Sequence, residues 1–253
     1  MSNDNPYASP SFSTESHISP FQIGNGEIQN VKAEIGDIFN YSLKVWKENL
    51  GLLIGTTLIV FGLSFGCSFF QAFVESILKG GFDRPPNAES AIFGLIFSIA
   101  SGVLQVFVAI GQIHLLLALL RRQPASIGML FSGGERLLPT IGVSVLLGLA
   151  AGVGFLLLII PGIIVILFYW PSYYLVVDRR TPVMQAFTVA RSITKGNELT
   201  TFVMGLLAFA ICFVGLLALC VGIIAAQPLA LLMIACAYLM MSGQIDTRAG
   251  QVL

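Results

Sequence analysis

The chain has 253 residues, 56% of them hydrophobic and only 10% charged, with 26 glycines and a mean hydropathy of +0.87. A soluble domain carries about 25% charged residues, so a water-soluble globular fold is excluded and a polytopic membrane protein is indicated. Thirteen Lys and Arg balance thirteen Asp and Glu, which leaves no basic footprint for nucleic acid.

Residues 1–30 place Pro6, Pro10 and Pro20 among Ser, Asn and Thr. Such a segment cannot build a core and reads as a disordered cytoplasmic tail. It is no signal peptide, because the apolar run begins only near position 49. Neither Ser2 nor any cysteine near a terminus offers a lipidation site. Residues 31–243 read as a six-helix membrane domain, and 244–253 as a short cytoplasmic tail.

Six charge-free stretches follow in order: 49–74, 91–120, 139–160, 163–177, 199–226 and 228–242. Four exceed the roughly 20 residues that cross ~30 Å of hydrocarbon as helix. The two short ones, 163–177 and 228–242, can span fully or re-enter. Barrel strands would alternate over ~10 residues, and these runs are too long and too uniformly apolar. The predicted fold class is all-α, a polytopic helix bundle of three hairpins.

With the N-terminus placed in the cytoplasm, that side holds Lys32, Lys44, Lys47, Arg121, Arg122, Arg136, Arg179, Arg180, Arg191, Lys195 and Arg248. The other side holds only Lys79 and Arg84. A bias of this size predicts cytoplasmic termini by the positive-inside rule.

Three segments look alike. Ile35-Gly36-Asp37-Ile38-Phe39 matches Ile127-Gly128-Met129-Leu130-Phe131, and Val183-Met184-Gln185-Ala186-Phe187 follows. Lys47 and Asn49 follow the first copy at the same spacing as Lys195 and Asn197 follow the third. Each copy precedes a predicted hairpin and is expected to form a cytoplasmic amphipathic helix. In the first, Ile35, Ile38, Phe39, Leu43 and Trp46 share one face, as in a helix lying in the headgroup plane. A lid packed on the bundle is the alternative. Phe39, Trp46, Phe131 and Phe187 are the candidate apolar anchors, with Lys47, Arg191 and Lys195 in reach of anionic headgroups or a partner.

Pro161-Gly162 and Gln227-Pro228 are the predicted external turns, each proline opening a short helix. Short, proline-interrupted segments in corresponding positions point to substrate sites in transporters; short helices shielded by longer neighbours are the plainer reading. Gly51, Gly55, Gly62 and Gly66 share a face of the first span, and Gly94, Ser98, Ser101, Gly102, Gln105, Ala109 and Gln112 one of the second. Close helix packing is the favoured reading, so Leu at Gly55 or Gly62 should destabilise. A polar substrate path lined by Gln105 and Gln112 is the sharper one.

Gly62-Leu63-Ser64-Phe65-Gly66 has the letters G-x-S-x-G, but a nucleophile elbow needs a strand-to-helix turn and a nearby base. His114 lies too far along its helix from Ser64 to serve. Cys67, Cys212, Cys220 and Cys236 lack C-x-x-C spacing and read as apolar packers. Tyr169, Trp170, Tyr173 and Tyr174 read as an interfacial belt. No metal site, phosphate loop or dinucleotide fingerprint is present, and no cofactor is expected.

Pro161-Gly162-Ile163-Ile164, Tyr169, Tyr173-Tyr174, Asp178, Ala186, Ser192 and Lys195-Gly196-Asn197, with the earlier Pro124-Ala125-Ser126 and Leu130-Phe131-Ser132, resemble a bacterial family of six-helix membrane proteins of unknown function, the YciC-like proteins. The group is similar to the membrane domain fused to some glycerophosphodiester phosphodiesterases. The likeness covers residues 31–243 and is most specific over 159–203. It implies a six-helix fold in the cytoplasmic membrane and carries over no catalytic residues. The expected role is non-enzymatic: assistance in envelope or lipid homeostasis, or scaffolding of a membrane partner, with membrane lipids as partners. A small permease for a lipid-like or apolar solute is the alternative.

Overall fold

The computed structural model describes residues 28–81, 84–218, 221–246 and 251–252. Most of the predicted N-terminal tail, Cys220 and Arg248 lie outside the described residues. The chain is helical: α1 (Ile35–Glu48), α2 (Leu50–Lys79), α3 (Ala88–Leu120), α4 (Leu137–Leu157), α5 (Ile159–Tyr169), α6 (Pro171–Asp178), α7 (Val183–Thr194), α8 (Glu198–Leu217) and α9 (Val221–Met241). A short antiparallel pair joins β1 (Ile245–Asp246) to β2 (Gln251–Val252).

Among the described residues, six helical segments are long and apolar enough to cross a membrane: Leu50–Lys79, Ala88–Leu120, Ile127–Leu157, Ile159–Asp178, Glu198–Leu217 and Gly222–Met241. The protein is a multi-pass membrane protein. The exposed apolar side chains of α2 run from Leu58 to Ile77, a rise of about 28 Å at 1.5 Å per residue. That matches the ~30 Å thickness of a hydrocarbon core.

Successive spans pack against each other, α2 on α3, α4 on α5 and α8 on α9. The central post is α9, which also touches α1, α2, α3 and α6. Its span is 67% buried, against 17% for α2. The core sits at the end of the bundle that carries most of the basic residues. There Leu115–Leu120 of α3, Leu175 and Val176 of α6, Ile193 of α7 and Leu232–Met241 of α9 close together with Ile38 and Val45 of α1. Towards the opposite end the apolar surface faces outward.

Three helix ends at the basic face are built alike. After α3, α6 and α9 the chain turns through a left-handed residue: Arg122 (φ 57°), Arg180 (φ 55°) and Gly243 (φ 70°). Gln123, Thr181 and Gln244 then donate back to the carbonyls of Ala118, Leu175 and Leu239. These bonds satisfy end carbonyls that a helix leaves bare. Segment 28–33 lies across this face, where Gln29 and Val31 donate to the Ser242 and Met241 carbonyls at 3.3 and 3.1 Å.

Several sequence expectations change. The second of the three similar segments, Ile127–Phe131, is a short 3-10 turn and not an amphipathic α-helix. It rests directly on α3: a side chain on Gly111 would strike the Leu130 backbone, and one on Gly133 the Phe107 carbonyl. Gly128 within the segment and Gly133-Gly134 just after it disfavour a continued α-helix. The first segment is a full helix, α1, with Ile38 and Val45 fully buried against the bundle.

The turns also move. Pro161 falls in the first turn of α5, and the break lies at Leu158. Pro228 lies inside α9, so the fifth span is Glu198–Leu217 and the sixth begins upstream of the proline. What places both turns is glycine. Gly154 and Gly162 come so close that a Cβ on Gly154 would sit 2.8 Å from the Gly162 Cα. A Cβ on Gly215 would lie 2.6 Å from that of Ala226. By contrast, a Cβ on Gly51, Gly55, Gly62 or Gly66 would meet nothing within 4 Å. The α2 glycines are therefore not a packing face. The belt reading fails for Tyr174, which is buried and stacks on Tyr238 at 5.1 Å.

Candidate functional site

The predicted contact residues are spread over the basic end. Phe39, Trp46 and Phe187 are half-buried and pack against the core. Trp46 donates its indole N–H to the Ala225 carbonyl of α9 at 3.0 Å. Phe187 packs on Tyr169 at 5.6 Å. Only Phe131 among the four anchors faces outward, at 58% exposure. Lys47, Arg191 and Lys195 are exposed. Arg191 lies 3.6 Å over the Phe168 ring, a cation–π arrangement that keeps its charge at the surface.

Lys195-Gly196-Asn197 has a structural task. Gly196 takes φ +86°, a conformation that L side chains rarely adopt. Asn197, 2% exposed, accepts from the Ala33 backbone at 3.1 Å and donates to the Val31 carbonyl at 3.0 Å. Asn30 donates in turn to the Ser192 and Lys195 carbonyls at 2.9 and 2.7 Å. The motif ties segment 30–33 to the start of α8.

A charged network closes the same end. Arg121 grips Asp178 in a two-point pair, both bonds at 2.7 Å, and also donates to Gln244 at 2.6 Å. Tyr238 donates to Asp178 at 3.1 Å. Burial works against the Arg121 charge, yet the hydrogen bond and proximity to Asp178 raise its pKa above the ordinary value. Beside it, Arg122 pairs with Glu48 and covers the Tyr41 ring.

A further set of polar groups forms a seam between α2 and α3. At its far end Gln71 donates to Glu75 at 2.8 Å and to Ser98 at 3.3 Å. The Glu75 carboxylate occupies the space over Gly94 and pairs with Lys79 at 3.6 Å. The same antiparallel register puts Ser64 opposite Gln105, and here the helices part. A cleft of about 200 Å³ opens, lined by Ser64, Cys67, Ser101, Gln105 and Gln112 among apolar neighbours such as Leu63 and Val108. No hydrogen-bond partner for the Gln105 or Gln112 side chain is present among the described residues.

Sequence reasoning named Gln105 and Gln112 as the sharper alternative, and the structure places both in the cleft. It missed Ser64 and Cys67 as lining residues, because an isolated helix does not say which neighbour its face meets. Once the Glu75–Gly94 and Gln71–Ser98 pairs are known, the register supplies them. The G-x-S-x-G letters lie within α2, with no strand-to-helix turn. His114 bonds instead to Ser132, Nδ1 to Oγ at 3.0 Å. Among the described residues, no group of three or more His, Cys, Asp or Glu side chains is placed to hold a metal ion.

No known protein family, no curated protein and no solved structure matches the chain.

Proposed function

We propose that the chain is a non-enzymatic protein of the bacterial cytoplasmic membrane, both termini in the cytoplasm, that serves lipid homeostasis by taking a lipid-like molecule into the α2–α3 seam. The observation that carries this reading is the cleft at Gln105 and Gln112. An amide moved into hydrocarbon without a partner costs roughly 2–7 kcal/mol, so two such side chains in a membrane cleft call for a polar occupant. Orientation follows from the eleven-to-two split of basic residues. Three helix pairs, two of them preceded by the lid-like helices α1 and α7, fit the YciC-like architecture, and membership of that group belongs to the same proposal.

The second reading, a scaffold or lipid-surface anchor, is favoured by the exposed Lys47, Phe131, Arg191 and Lys195. Proteoliposomes holding a fluorescent lipid analogue separate the two. We expect transbilayer movement that Gln105→Leu with Gln112→Leu lowers about tenfold or more, an effect of roughly 1.4 kcal/mol. Arg191→Gln with Lys195→Gln should leave that movement unchanged. If instead the basic pair alone mattered, weakening anionic-vesicle binding by up to about 2 kcal/mol, the scaffold reading replaces the seam.

A further inference from the structure

From the charge of the α2–α3 cleft we infer that its occupant is an uncharged amphiphile with a hydroxyl-bearing head, of the diacylglycerol class, and that phosphate-bearing lipids are rejected. The inference rests on the seam reading above and adds the selectivity of the site. The five polar side chains lining the cleft, Ser64, Cys67, Ser101, Gln105 and Gln112, are all neutral. No arginine or lysine lines it. A phosphodiester drawn into the cleft would carry its negative charge into low dielectric without a counter-ion, which is far costlier than moving a hydroxyl that finds an amide.

The ends of the seam reinforce the choice. At the far end Glu75 is held by Gln71 and Lys79, so that lysine is already engaged and is not among the residues lining the cleft. At the other end of α3, Arg121 and Arg122 are engaged by Asp178 and Glu48, and Arg136, which acts on His114, is not among the residues lining the cleft. A glutamine offers both a carbonyl acceptor and amide donors. A hydroxyl can donate to the first and accept from the second, as can an ester carbonyl from the amide alone.

The test uses the whole protein in nanodiscs and a diacylglycerol with a photoreactive diazirine in one acyl chain. Labelled peptides are mapped by mass spectrometry. We expect saturable labelling within 60–67 and 101–112. Unlabelled diacylglycerol should compete, whereas phosphatidylglycerol and phosphatidic acid at the same concentration should compete about tenfold less. Gln105→Leu with Gln112→Leu should reduce labelling about tenfold, as should Ser101→Leu, which fills the cleft while keeping both amides. Equal competition by the anionic lipids would overturn the selectivity and leave the seam reading standing. Labelling indifferent to all three substitutions, in protein of unchanged melting temperature, would overturn both.

Discussion

Asp178 sits with 8% of its side chain exposed and accepts from both Arg121 and Tyr238. Removing the charge from one partner of a buried pair leaves the other uncompensated, which costs about 3–5 kcal/mol. Asp178→Asn should therefore lower the melting temperature of the detergent-solubilised protein sharply. Arg121→Met combined with Asp178→Leu should recover part of the loss, because the Arg121 charge goes with its partner, while Arg179, 3.6 Å from Asp178, and Tyr238 still lose their Asp178 contacts. A double variant as unstable as the single one would show that the network holds more than charge balance. Arg180 has the opposite character. It sits at φ 55°, and its bond to Glu135 joins side chains 70% and 78% exposed, a contact of little worth. Left-handed backbone costs a residue with a Cβ roughly 1–2 kcal/mol, so Arg180→Gly should raise the melting temperature. A fall would show that the Arg180 side chain contributes more than its exposure implies.

Between helices, the glycines that matter are those where backbone meets backbone. Gly215→Val would push a branched side chain into Ala226 and the Gly222 carbonyl, and overpacking of this kind costs about 1–3 kcal/mol or more. It should lower the melting temperature, while Gly62→Leu, whose Cβ points into open space, should leave it nearly unchanged. Equal effects would mean that α2 has a close neighbour at that face. At the junction of α7 and α8, Asn197→Ala removes the bonds to Ala33 and Val31. Hydrogen exchange of amides in 29–33 should then quicken while α9 stays protected. The spacing that aligned Asn49 with Asn197 was visible in the sequence, and the two share backbone angles, φ −124° and ψ 25° against φ −114° and ψ 16°. What the alignment could not show is that Asn197 reaches back to segment 30–33, a contact across more than 160 residues.

Across the whole molecule, the basic residues gather at the end where the core is closed, and the apolar band of α2 is as tall as a bilayer's hydrocarbon. Reporter fusions after Gly80 should read the external side, and fusions after Gln123 and Lys195 the cytoplasm. A periplasmic signal from either of the last two would reverse the orientation. Hydropathy by itself determined that the described residues are overwhelmingly helical, with six segments long and apolar enough to cross a membrane, because a lipid-exposed backbone must satisfy its own hydrogen bonds wherever water is absent. Only the tertiary structure decided where the turns fall. Pro228 is tolerated inside α9 and Pro161 sits in the first turn of α5, where its missing N–H costs nothing, with close glycine contacts at both bends. It also decided that α1 packs Ile38 and Val45 on the bundle and that Gln105 faces Ser64 across a cleft. An amphipathic face looks the same in sequence whether it meets lipid or protein, because both are apolar solvents for it.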